Sequence, residues 1–108
     1  MAAPGVSRQM LYQGGGYDVD VRLEQFESAD AILILGQIVS TSKKPDELAG
    51  LSVEITRHGS AFGQQDNKTA ETDSRGMFRL RDIAPGDYDI VIRLPEGDFS
   101  IHAITCRP

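Results

Sequence analysis

An all-β domain of about seven or eight short antiparallel strands, a sandwich or a barrel, is what the sequence predicts. Three observations carry that expectation. Apolar and polar residues alternate with period two in several separate segments, as where Tyr17, Val19, Val21 and Leu23 interleave with Asp18, Asp20, Arg22 and Glu24. Gly, Pro and Asp recur between those segments, notably at Asp73-Ser74-Arg75-Gly76 and Ala84-Pro85-Gly86-Asp87, where they reverse a chain. No stretch follows the helical period, and no repeat of solenoid length occurs.

Residues 1–16 combine Ala, Pro and polar residues with Gly14-Gly15-Gly16, a composition that implies a flexible lead-in ahead of a single domain over residues 17–108. Within it Met10, Leu11 and Tyr12 offer apolar surface for packing onto a core edge. Tyr17 to Glu24 is the first half-buried strand. Beyond a turn at Glu27-Ser28-Ala29-Asp30, the apolar run Ala31–Ser40 is a strand buried on both faces, or a long strand kinked at Gly36, and it forms a hairpin with its predecessor. Thr41–Gly50 is a loop around Pro45 with room for one helical turn. Leu51, Val53 and Ile55 define the next strand. A loop anchored by Phe62 leads to a short strand over Lys68–Asp73. Phe78 and Leu80 then share a face opposite Arg79 and Arg81; Tyr88, Ile90 and Ile92 share another; Phe99, Ile101 and Ala103 close the series. Gly76 is free to take the positive φ of a tight turn, and Pro85-Gly86 has the signature of a type II turn.

At 108 residues, 40% hydrophobic and 25% charged, the chain has the size and balance of one globular domain. A net charge of −5 argues against nucleic acid as a partner, because phosphate neutralisation needs a Lys/Arg excess on some face. Neither Lys43-Lys44 nor the alternating Arg75, Arg79 and Arg81 supplies one. The single cysteine, Cys106, excludes an internal disulfide and reads as a free thiol. An apolar targeting or membrane-spanning segment is missing from the sequence, so no membrane partner is expected and a cytoplasmic location follows by default, with an extracellular one if the chain belongs to a longer protein.

The order of Gly36 and Val39, then Leu48, Gly50 and Val53, then Thr72, Asp73, Gly76, Phe78 and Leu80, then Ile83, Pro85, Gly86, Tyr88 and Ile90 resembles the carboxypeptidase regulatory-like domain. The resemblance covers residues 35–94. It implies a transthyretin-like (prealbumin-like) antiparallel β-sandwich of about seven to eight strands. It also implies a non-catalytic folding support, spacer or interaction surface attached to other domains, since fold carries no reaction with it. The segment Arg8–Gln25 is similar to bacterial proteins that place this module after a zinc-finger anti-sigma region, which would make the chain the C-terminal part of such a protein.

Candidate chemistry is sparse. A transthyretin-like hydrolase, 5-hydroxyisourate hydrolase, needs a His/Arg cluster and a C-terminal Tyr-Arg-Gly-Ser signature, whereas this chain ends Ile104-Thr105-Cys106-Arg107-Pro108. His102 alternates outward, and a period-two strand puts it on the same face as Cys106 but about 13 Å away, too far for a thiolate–imidazole pair. Asp73, Asp82 and Asp87 suit turn positions rather than a calcium loop. With His58 and His102 the only histidines, no metal ligand set and no cofactor site is expected. Lysines on loops and a single asparagine, Asn67, do not suit an isopeptide staple. The sequence therefore points to a module that binds a protein partner or an upstream domain of the same chain. A carbohydrate or other ligand module comes second, favoured by any groove lined by Tyr12, Tyr17 or Phe62, and a hydrolase third. The candidate interaction edge is Tyr17, Val19, Val21 and Leu23, expected at or near a sheet edge beside the Gly-rich segment, where it offers a homodimer contact opposed by outward Asp18, Asp20 and Glu24.

Overall fold

The computed structural model describes residues 7–25, 31–58 and 67–106. Among these residues eight strands form two four-stranded antiparallel sheets, ordered β1-β2-β3-β6 and β5-β4-β7-β8. The strands are β1 (Ser7–Gly14), β2 (Tyr17–Glu24), β3 (Ile32–Ser40), β4 (Ser52–Arg57), β5 (Lys68–Glu71), β6 (Met77–Ile83), β7 (Gly86–Leu94) and β8 (Gly97–Cys106). One 3-10 turn, Pro45–Leu48, follows β3 and drives Leu48 into the core. The loop residue Phe62 lies outside the described residues.

Period two in the sequence becomes one buried face per strand. Val19, Val21, Ile34, Ile38, Val53, Ile55, Ile90 and Ile92 are all at most 1% exposed, so the β-branched side chains of both sheets meet in a single dry layer. Each such burial contributes roughly 1.5–3 kcal/mol against the entropy of ordering the strand. β3 is buried on one face only: Leu33 and Leu35 are half-buried and Val39 is 48% exposed. Gly36 carries no kink within the β2–β3 pairing. It lies opposite Phe78 of β6, and a Cβ there would stand 2.0 Å from Phe78 Cζ, so the ring covers the space a side chain would take.

The two turns behave differently. In the first, Gly76 has φ +73, Asp73 Oδ1 accepts the N–H groups of Arg75 (2.8 Å) and Met77 (3.0 Å), and those backbone bonds hold the Asp73 carboxyl below its usual range. Thr72, the buried polar residue of the core, ties this turn to the 3-10 turn by accepting from Leu51 N–H (2.8 Å) and donating to Leu48 C=O. The second is not of type II, because Gly86 has φ +156 and already pairs with Cys106 as the first residue of β7. Tyr88 reaches back instead, its hydroxyl donating to the Ala84 carbonyl at 2.7 Å, which fixes the corner from the core side.

β8 departs from simple alternation. Its register with β7 shifts between Tyr88↔Ile104 and Ile90↔Ile101, one extra residue on β8, and Ala103 takes φ +57. The bulge changes the phase, so Ile104 and Cys106 point inward while Ala103, expected in the core, is exposed. His102 and Cys106 thus lie on opposite faces, contrary to the same-face placement that strict alternation implies.

Candidate interaction surface

Residues 7–14 are not lead-in. β1 pairs with β2 over its full length, from Ser7↔Glu24 to Gly14↔Tyr17, and Gly15 (φ +58) and Gly16 (φ +82) form the two-residue type I′ hairpin that suits the twist of the strands. Arg8, Met10, Tyr12 and Gly14 fall opposite Leu23, Val21, Val19 and Tyr17, so Met10 and Tyr12 extend the core sideways, each half-buried. Glycine-rich composition implied flexibility; a hairpin uses the same glycines for positive φ.

That strand displaces the expected edge. β2 is paired on both sides, and Tyr17, Val19, Val21 and Leu23 are between 0% and 5% exposed, committed to the core one strand in from the edge. Edge strands of the described residues are β1 and β6 in one sheet and β5 and β8 in the other. Three of these are blunted. β5 is four residues long, and its Lys68 ammonium donates to the carbonyls of Arg81 (2.9 Å) and Asp82 (2.8 Å) on β6, clipping the two edges together. β6 presents exposed Arg79 and Arg81, bulges against β3, and twists at Asp82 (φ +58). β8 carries the Ala103 bulge, whose N–H is taken by Asp89 Oδ1 at 2.8 Å.

Beyond Arg8, whose side chain reaches across to β8, β1 has none of these devices. It is eight residues long, in unbroken register, without proline, and Leu11 on its outer face is 61% exposed. In a two-residue hairpin the flanking pair, here Gly14↔Tyr17, is hydrogen-bonded, so Tyr12↔Val19 and Met10↔Val21 are too. The N–H and C=O groups of Gln9, Leu11 and Gln13 consequently point off the sheet.

The flank between β1 and β8 is joined at one end by the Arg8 guanidinium donating to the Thr105 carbonyl. At the other end lies a cleft of about 430 Å³ between the β1–β2 and β7–β8 hairpins, lined by Gln13, Gly14, Tyr17, Glu96, Phe99 and Ser100. At its rim Tyr17 hydroxyl donates to Glu96, and Lys43 donates to both. Those bonds raise the Lys43 ammonium above its usual range and hold Glu96 below its own. Tyr17 lines the cleft as the ligand reading requires, yet at 5% exposure its ring face is not open for stacking.

Titratable groups elsewhere serve the fold. Asp89 accepts from His58 Nδ1 (2.8 Å) and lies 3.7 Å from His102 Nδ1. Against the burial that would raise it, the Ala103 N–H and His58 keep its carboxyl below the usual range. Burial pushes the Cys106 thiol up to about 11, away from thiolate chemistry. Among the described residues no group of three His, Cys, Asp or Glu is placed to hold a metal ion, and no helix is long and apolar enough to cross a membrane.

Sheet order and the Greek-key-like crossing between the sheets define a transthyretin-like β-sandwich domain. The family model for the BOS complex subunit NOMO1-like, second beta sandwich domain, matches residues 31–107, and the chain belongs to that family. Searches of curated proteins and of solved structures found no match. The match supports the sandwich that the resemblance implied and lends nothing to an origin in a bacterial anti-sigma protein.

Proposed function

We propose that this domain is a non-catalytic structural and interaction module of a larger protein, docking to a protein partner or a neighbouring domain through the outer edge of β1. The observation that carries the reading is that edge, the long unblunted one among the described strands, with its backbone groups aimed at solvent. The family description, a β-sandwich domain of a complex subunit, agrees with such a role, as does the resemblance to carboxypeptidase regulatory-like modules. A second reading, a small-ligand module using the cleft beside Tyr17 and Phe99, is favoured by its volume and disfavoured by the buried Tyr17 ring.

Hydrogen exchange tests the first reading. The amides of Gln9, Leu11 and Gln13 exchange fast in the isolated domain at low concentration and slow at least tenfold when the domain sits in its parent assembly. Equal exchange in both settings overturns the docking edge.

A further inference from the structure

We infer that β1 pairs with β1 of a second copy of this chain, antiparallel across a twofold axis at Leu11. The inference rests on the docking-edge reading above and names its occupant. A twofold contact is self-complementary: whatever residue i meets on the partner, that residue must meet i in return. Gln9-Met10-Leu11-Tyr12-Gln13 satisfies this by its own symmetry. Reversed about Leu11, it sets Gln9 against Gln13, Met10 against Tyr12 and Leu11 against Leu11.

Both faces of the joined sheet then match. On the outer face the exposed Leu11 side chains cover each other between two pairs of neutral amides. On the inner face Met10 meets Tyr12, and each is a half-buried apolar side chain at the rim of its own core. Gln9, Leu11 and Gln13, the residues whose backbone groups point off the sheet, become the hydrogen-bonded pairs of the new ladder.

Charge does not oppose this pairing. The nearest acidic residue in register is Asp20, opposite Leu11 on β2, and the Gln9 amide donates to both of its carboxylate oxygens at 3.0 and 2.8 Å. In the pair, the two Asp20 residues stand three strand spacings apart, about 14 Å. That exceeds the screening length of roughly 8 Å at physiological ionic strength. Self-pairing of another edge meets an obstacle at each: the clipped and short β5, the arginines and bulge of β6, the bulge of β8.

Sedimentation equilibrium of the isolated domain tests the inference. At about 0.5 mM the wild type is expected to show a mass approaching twice 11.8 kDa and to dissociate on dilution. Leu11→Glu places two carboxylates on the axis and abolishes the dimer. Gln9→Lys/Gln13→Lys sets lysine against lysine at both flanking pairs and does the same, at positions too exposed to unfold the domain. Gln9→Glu/Gln13→Lys sets opposite charges together and keeps the dimer. A dimer indifferent to Leu11→Glu or to the double-lysine variant overturns the inference, and so does its loss in the opposite-charge variant. A wild type monomeric at 0.5 mM whose β1 amides are protected in the parent assembly overturns self-pairing and leaves the docking edge standing.

Discussion

Gly36→Ala is expected to change sign with the residue opposite it. In a strand interior alanine is ordinarily better than glycine by roughly 0.5–1 kcal/mol, because glycine loses more backbone freedom on folding. Here the new methyl falls 2.0, 2.3 and 2.6 Å from three carbons of the Phe78 ring. Phe78 is 3% exposed and its strand is in register with β3, so the ring has neither solvent to swing into nor backbone free to follow. Overpacking of that kind costs about 1–3 kcal/mol or more, which outweighs the backbone gain. Phe78→Ala by itself removes a buried ring and costs about 3–5 kcal/mol. In that background the clash is gone and part of the cavity is filled, so Gly36→Ala becomes neutral or stabilising by roughly 0.5–1 kcal/mol. Urea unfolding of the four proteins closes the double-mutant cycle, with Phe78→Leu in place of Phe78→Ala if the latter is too unstable to measure. Additive effects, or a stabilising Gly36→Ala in the wild type, refute the pairing of glycine and ring.

Gly76→Val strains φ +73 and sets a Cβ 2.7 Å from the Ile38 carbonyl, a loss of about 1–3 kcal/mol that thermal melting reads as a drop of several degrees; an unchanged midpoint refutes the turn geometry. Gly86→Val should also destabilise, chiefly because φ +156 is a backbone conformation that L side chains rarely adopt; its Cβ also falls 2.6 Å from Arg57 Nη1, the end of a flexible side chain, so Arg57→Ala in the same chain should relieve only a small part of the loss. Asp73, lowered by the Met77 and Arg75 N–H groups, stabilises the fold above the unfolded carboxylate pKa, and this contribution fades as pH falls through the depressed folded value. Asp73→Asn should therefore flatten the acid limb of stability as pH falls below the ordinary carboxylate range, and an unchanged slope counts against the turn bonds. Cys106 is 0% exposed with its thiol pushed up to about 11, so a thiol reagent at pH 8 should react only as the domain opens, at a rate that rises with urea. Labelling as fast as free cysteine in the native state places it elsewhere.

Much of the fold was legible because a strand with one buried face writes that face into its own sequence. Tyr17 to Leu23, Val53 and Ile55, Phe78 and Leu80, and Tyr88 to Ile92 all bury the residues that alternation selects. Asp73 and Gly76 likewise announce a turn whose bonds close within five residues. Alternation says nothing about lateral neighbours, however. Whether Tyr17–Glu24 lies at an edge depends on whether another segment pairs beyond it, and Ser7–Gly14, which runs into Gly15-Gly16 and so resembles a flexible lead-in, does so. The edge we propose for docking therefore lies one strand out from the one the sequence suggested, on β1 rather than on the buried β2.

What the sequence by itself determined is the all-β class, the strands that follow β1, most of their inward faces and the first tight turn, all set by interactions local along the chain or repeated every second residue; the sandwich itself was implied by the family resemblance. Tertiary structure alone decided the strand order, the cover Phe78 gives to Gly36, the Ala103 bulge that turns Cys106 inward, and the exposure of β1. Each of these depends on which distant backbone supplies the neighbouring ladder, and the hydrogen bonds of a ladder join peptide groups that carry no side-chain signature.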